Sequence, residues 1–224
     1  MDTHLFLFGG GPPFMSGLAK HFASLVGDKG RRCSVLFIGR QGWEEYRLNY
    51  MRELEQYGFE FVFLPLPVTL TREVLDELQK SEAIIIGGGV TDRYIDEIVE
   101  TSIGEEIKRL FKEGKPVAGF SAGALLSMEE SILSPRDNDE HIMKRRKGLG
   151  LMGNTAVAVH YSEWEEEAHL LEVATRFKKK NNYGIDERTG MYVRNDVIQA
   201  IEGRGVYEVK DGQIGLVECE KWNS

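Results

Sequence analysis

Val117-Ala118-Gly119-Phe120-Ser121-Ala122-Gly123-Ala124 decides the reading of the fold, because an apolar run stops at a serine and small residues continue directly into a helical pattern. That succession predicts a strand, a sharp turn and a helix. A serine at such a turn stands above the carboxyl end of its strand, where small neighbours let the backbone bend tightly and another chain approach the hydroxyl. Ser121 is therefore a candidate nucleophile. GxSxG patterns also occur in purely structural glycine turns, so the flanking strand and helix carry the weight of the reading.

Toward the N-terminus, strand and helix patterns alternate. Strands are expected at His4 to Phe8, Cys33 to Ile38, Glu60 to Pro65 and Ala83 to Ile86. Between them fall a helix with Ser16 as its cap, one amphipathic helix from Trp43 to Tyr57 ending at Gly58, and another from Thr71 to Lys80. Thr91 through Glu113 reads as a helical region interrupted around Ser102 and Gly104. Such alternation predicts an α/β fold, a doubly wound and mostly parallel sheet whose ligands lie beyond the carboxyl ends of its strands. Ser121 falls at such an end, and so does Gly87-Gly88-Gly89. Gly9-Gly10-Gly11 also follows a strand, but the GxGxxG spacing of a nucleotide loop is absent and Pro12 and Pro13 remove backbone donors.

Beyond Ala124 the pattern changes. Ser134 to Arg146 reads as an exposed loop able to overhang the strand ends. Thr155 to Val159 is a strand ending at His160, with a helix from about Ser162 to Lys178. Tyr183 to Ile185 leads to Asp186 and Glu187. The short segments Met191 to Arg194, Val197 to Ile201, Val206 to Lys210 and Ile214 to Glu218 read as antiparallel strands added at the edge of the sheet.

Composition narrows the function classes. A chain of 224 residues with 42% hydrophobic content builds one sizeable core, so a single domain over residues 1–224 is expected. Acidic residues outnumber basic ones 36 to 28, which disfavours a binder of nucleic-acid backbones and leaves small molecules or peptides as partners. Cys33 and Cys219 have no disulfide framework spacing, no charged-then-apolar leader precedes the first strand, and no run approaches the roughly 20 apolar residues of a membrane span. A reducing cytoplasm without membrane attachment is the expectation. No His, Cys and carboxylate cluster has metal-ligand spacing, so neither metal nor cofactor is expected.

Three reactive residue types stand at predicted strand ends. A serine hydroxyl is a weak nucleophile until a base takes its proton, and an imidazole does so best when a carboxylate fixes its tautomer. Ser121, His160 and Glu187 could form that relay, with Asp137 in the nearby loop as a competing acid. Glu163, Glu166 and Glu167 open the helix after His160; facing the site, they would disfavour acidic substrate groups and admit neutral or basic ones.

These residues resemble the serine peptidases of the dipeptidase E and cyanophycinase type. The resemblance runs from about Ala83 to Asp211 and rests on Gly87-Gly88-Gly89 followed by Thr91, on GFSAGA at 119–124, on Gly148-Leu149-Gly150-Leu151 leading to His160-Tyr161, and on Gly184-Ile185-Asp186-Glu187 with Thr189. It implies a flavodoxin-like sheet related to class I glutamine amidotransferases, a Ser-His-Glu triad and hydrolysis of short peptides next to aspartate. It further implies Ser121 as nucleophile, His160 as general base and then acid, Glu187 as its orienting carboxylate, the N–H groups of Gly88 and Ala122 as oxyanion donors, and Gly89 beside them at the substrate. The sequence departs from the family at Val90, where a polar residue is usual, and in the helix after His160, where cyanophycinases carry arginines. An esterase of the α/β-hydrolase type would place its acid before the histidine. A binding protein of the same fold without chemistry stays open, as does a homodimer.

Overall fold

The computed structural model describes residues 1–27, 30–67 and 71–219. In chain order its strands are β1 (His4–Phe8), β2 (Arg32–Ile38), β3 (Glu60–Leu66), β4 (Ala83–Ile86), β5 (Val117–Phe120), β6 (Glu130–Leu133), β7 (Lys144–Lys147), β8 (Thr155–Val159), β9 (Asn181–Ile185), β10 (Gly190–Arg194), β11 (Val197–Glu202), β12 (Val206–Lys210) and β13 (Gln213–Leu216). Its helices are α1 (Ser16–Leu25), α2 (Trp43–Tyr46), α3 (Leu48–Met51), α4 (Thr71–Lys80), α5 (Thr91–Tyr94), α6 (Ser102–Lys112), α7 (Ala122–Leu126) and α8 (Glu167–Phe177).

A seven-stranded sheet runs β11-β10-β1-β5-β4-β2-β3, with β1 to β5 mutually parallel and β10 and β11 antiparallel at one edge. Strands β2 to β5 take the flavodoxin-like order and β1 occupies the fifth place beside β5. Both faces are covered, which is why the central strands are apolar at consecutive positions. Leu5, Leu7, Leu36, Ile84 and Ile86 pack on one face with Leu78 of α4 and Ile107 and Leu110 of α6. Phe6, Phe8, Val35, Ile85 and Phe120 pack on the other with Leu18 and Phe22 of α1. Among the described residues no helix is long and apolar enough to cross a membrane.

Several local expectations change. Ser16 opens α1 but does not cap it; the carboxylate of Glu202 on β11 accepts the N–H groups of Gly17 and Leu18 at 3.1 and 2.8 Å. A carboxylate suits the positive end of the helix better than a hydroxyl does. The single helix expected from Trp43 to Tyr57 is broken into α2, α3 and a 3₁₀ turn at Glu55–Tyr57, although it does end at Gly58. Its aromatic residues are drawn to separate sites on the sheet: Trp43 stacks on Phe37 at 4.3 Å and Tyr50 meets Phe120 edge-on at 5.3 Å. The interruption between residues 91 and 113 falls at Glu100 and Thr101, after a π-helical turn at Ile95–Val99, and Thr101 caps α6 by accepting the N–H of Ile103.

The largest correction concerns the C-terminal half. Strands β8 and β9 do not join the main sheet but pair in parallel in a second sheet, β13-β12-β9-β8, so only β10 and β11 are edge additions to the first. Residues 134–146 are not all loop either, because β7 pairs antiparallel with β6 and the four consecutive basic residues of β7 conceal a strand from a hydropathy pattern.

The turn after β5 is built by close backbone approach. Ser121 has φ 48° and ψ −106°, outside the helical and extended regions. A Cβ on Gly119 would lie 2.3 Å from the carbonyl oxygen of Gly123, and one on Gly123 would lie 2.3 Å from that of Ile86. Substitution of Gly123 by alanine must therefore push α7 away from β4, and an overpacked site of this kind typically loses about 1–3 kcal/mol. Urea unfolding should report that loss, and an unchanged midpoint would show that the turn tolerates a side chain.

Candidate active site

The two sheets present their reactive residues to one another at their strand ends. Ser121 follows β5 of the main sheet, while His160 and Glu187 follow β8 and β9 of the second. Because Val159 pairs with Ile185 in parallel register, the chain leaves both strands side by side and His160 emerges next to Asp186 and Glu187. Ser121 Oγ lies 2.8 Å from His160 Nε2, and His160 Nδ1 lies 2.7 Å from Glu187 Oε1. The indole of Trp164 stacks on the imidazole with ring centres 4.2 Å apart, leaving the ring little freedom to tilt. Sequence reasoning missed Trp164, although its position one helical turn after His160 was a readable signal.

The glycines after β1 join the sheets. His160 N–H donates to the Gly9 carbonyl at 2.8 Å, and Gly9 N–H donates to that of Thr189 at 3.1 Å. A Cβ on Gly9 would lie 2.2 Å from the carbonyl oxygen of Ile185, and one on Gly10 would press on the Glu187 side chain at 3.1 Å. Gly9 and Gly10 are thus accounted for by the approach of β9 and Glu187, whereas a Cβ on Gly11 would meet the Tyr46 hydroxyl at 2.5 Å.

The loop after β4 is held from beneath. Tyr50 Oη accepts the N–H of Gly88 at 3.2 Å, while the Tyr94 hydroxyl donates to the Gly88 carbonyl at 3.2 Å and accepts the N–H of Ile38 at 3.0 Å. Burial pushes both phenols up, Tyr50 well above its ordinary range and Tyr94 to about 12, so both remain neutral hydrogen-bonding groups. Gly88 N–H therefore points inward and differs from the oxyanion donor that the sequence suggests. The Gly88 backbone nevertheless faces the serine, since a Cβ there would lie 3.3 Å from that of Ser121. Among the described residues, Gly89 N–H has no partner, and neither does Ala122 N–H, which opens α7 and has no intrahelical acceptor. Val90 follows with 56% of its surface exposed.

Among the described residues the carboxylate bonded to His160 is that of Glu187 and not that of Asp137. Asp137 lines a small cavity of about 10 Å³ with Ser134, Trp164, Glu166 and His169. Burial drives the Asp137 carboxyl up to about 7, opposed by Thr91 and reinforced by Asp92 and Glu166. Burial likewise raises Glu166 and lowers His169 to about 4, so the groups around the cavity favour their neutral forms. The glutamates after His160 do not form a carboxylate wall facing a substrate. Glu166 is buried and accepts the Ser134 hydroxyl at 2.8 Å, and Glu163 is engaged by Glu187 N–H and Arg204. Turns replace the expected start of that helix, and α8 begins only at Glu167.

The model of Peptidase family S51 matches residues 5–201 of the chain. The chain is 25% identical over 146 residues to a cyanophycinase of Geminocystis herdmanii, a match covering 63% of this chain and 54% of that protein. It is 24% identical over 181 residues to a Peptidase E of Nostoc sp., covering 76% of this chain and 72% of that one. It spans about half the length of the cyanophycinases it matches. A crystal structure of a peptidase from an acI-B1 Actinobacterium superposes with a TM-score of 0.78 at 20% identity, covering 99% of this chain and 96% of that one, which establishes a shared fold.

The raised Asp137 carboxyl has a consequence for stability. Between its ordinary value of 3.8 and about 7 the folded state holds a proton that the unfolded state has lost, so this group makes the protein less stable as pH rises through that window. Asp137→Asn keeps the neutral form throughout. Its melting temperature relative to wild type should increase from about pH 4 to pH 7 and then level off. A pH-independent difference would show that Asp137 is ionised in the folded protein.

Proposed function

The chain belongs to peptidase family S51, and from that premise we propose that it is a serine-type hydrolase of short peptides. The observation that carries this reading is the continuous contact Ser121–His160–Glu187, with 2.8 and 2.7 Å separating the bonded atoms. In the proposed reaction His160 Nε2 takes the Ser121 proton as Oγ attacks the scissile carbonyl, and Glu187 holds the proton on Nδ1 and stabilises the imidazolium. The imidazolium then protonates the leaving amine. Water enters, His160 deprotonates it, and the acyl-enzyme is hydrolysed. Among the described residues the N–H groups of Ala122 and Gly89 have no protein acceptor, and we assign the tetrahedral oxyanion to them in place of the Gly88 donor. Val90 offers the substrate an apolar surface where the family usually carries a polar side chain.

A fluorophosphonate probe together with a panel of dipeptides tests this assignment. Wild-type protein should be labelled at Ser121 and should release amino acids from some of the dipeptides. Ser121→Ala should take no label and lose at least about 10³-fold in kcat, while keeping its melting temperature because it removes one oxygen from a turn. Turnover in that variant at the wild-type rate would end the serine-hydrolase reading. A folded wild-type protein that neither labels nor cleaves would mark a binding protein, and cleavage of esters without peptides an esterase.

A further inference from the structure

Glu187 is the partner of His160, yet 44% of its side-chain surface is exposed, so burial alone does not hold it. Its orientation depends on the backbone that carries it, and that backbone is gripped by a residue outside the Ser-His-Glu contact. Glu163 Oε2 accepts the N–H of Glu187 at 3.0 Å. The other oxygen, Oε1, accepts Arg204 Nη1 at 3.2 Å, and the Arg204 backbone N–H donates to Thr189 Oγ1 at 2.8 Å, a side chain on the loop that carries Glu187. In the reverse direction the buried carboxylate of Asp186 accepts the N–H of Ser162 at 3.0 Å. The loops after β8 and β9 thus exchange carboxylates for amides, each loop's acid taking the other's N–H on either side of the His160–Glu187 pair.

From this interlock we infer that Glu163 is a positioning residue for the Glu187 carboxylate. This rests on the hydrolase reading above and adds a residue to it. A carboxylate accepting a backbone N–H makes a charge-assisted bond, stronger than a neutral acceptor would give. A second negative charge beside Glu187 is unfavourable by itself, and Arg204 offsets it from the solvent side. Without Glu163 the Glu187 backbone is released on the side facing β8, and its carboxylate drifts from Nδ1 of His160. Geometry errors of about 1 Å at a reacting group lower rates by about 10²-fold, and here the error is relayed through one residue. The effect falls on kcat, because Glu163 does not touch the substrate.

The test compares wild type with Glu163→Ala, Glu163→Gln and Glu163→Asp in two assays: the rate of fluorophosphonate labelling at Ser121, and kcat and KM on a cleaved dipeptide. Labelling needs no knowledge of the natural substrate, and melting temperatures establish that each variant is folded. Glu163→Ala should label and turn over about 10-fold to 100-fold more slowly with KM within about twofold of wild type. Glu163→Gln keeps an oxygen within reach of the amide and should recover most of the loss. Glu163→Asp keeps the charge but falls a methylene short, so it should resemble Glu163→Ala and serves in its place if the alanine variant does not fold. Labelling of Glu163→Ala or Glu163→Asp at the wild-type rate, a Glu163→Gln variant as slow as the alanine one, or a loss confined to KM would each overturn the inference while leaving the hydrolase reading intact. Wild-type protein that neither labels nor cleaves would overturn both.

Discussion

The backbone of Gly9 is the joint on which the site depends. Its carbonyl takes the N–H of His160 and its own N–H goes to the Thr189 carbonyl, so one residue at the end of β1 ties down both loops that leave β8 and β9. Ser121 belongs to the main sheet, and its bond to His160 crosses from one sheet to the other. A side chain on Gly9 would occupy the space of the Ile185 and Asp186 carbonyl oxygens, at 2.2 and 2.4 Å. The sheets would then separate at the place where serine and histidine must stay within hydrogen-bonding reach. Absence of a side chain at residue 9 is a structural condition for the Ser121–His160 contact.

Part of the strained backbone stands at the same joint. Ser121, His160 and Arg188 all have φ near +50°, which non-glycine residues adopt rarely. Each directly follows a strand or stands within a few residues of its end, and at Ser121 and His160 the turn brings the two side chains together across the space between the sheets. Conformations of this kind cost of order 1–3 kcal/mol apiece and persist where surrounding contacts hold them. Those contacts are visible here: Ser121 N–H donates to Phe8 at 2.9 Å, His160 N–H to Gly9 at 2.8 Å, and the Thr189 hydroxyl beside Arg188 accepts two N–H groups from the turn after β11.

Much of this was legible in the sequence, for a simple reason. Buried parallel strands leave continuous apolar runs, so β1, β2, β4 and β5 were readable together with the residues at their ends, and Ser121, His160 and Glu187 are the residues that the structure brings to within hydrogen-bonding distance of one another. What periodicity did not carry was which sheet a strand joins. Thr155–Val159 is apolar and short like its counterparts in the main sheet, and only the parallel pairing with β9 separates it. Polarity misled in two places. Lys144 to Arg146 read as loop although these residues pair with β6, and the glutamates after His160 read as free to face a substrate although Glu163 and Glu166 are bound to protein partners. A side chain's charge reports neither its exposure nor its partner.

The broken segment between Trp43 and Tyr57 shows the same limit and explains the glycine loop opposite the serine. The divided segment lays Trp43 on Phe37 of β2 and sets Tyr50 edge-on against Phe120 of β5. With the helix divided, Tyr50 reaches Gly88 N–H from one side as Tyr94, at the end of α5, reaches Gly88 C=O. The two phenols fix both polar ends of the Gly88 residue, although each lies on a different connection of the main sheet. Because burial keeps them neutral, this grip does not change with proton concentration near pH 7. It commits the Gly88 donor to the interior and leaves the next amide, that of Gly89, without a partner among the described residues. The loop can therefore hold its shape without using the donor that the proposed chemistry requires, and that separates the groups that set the geometry from those free to meet developing charge.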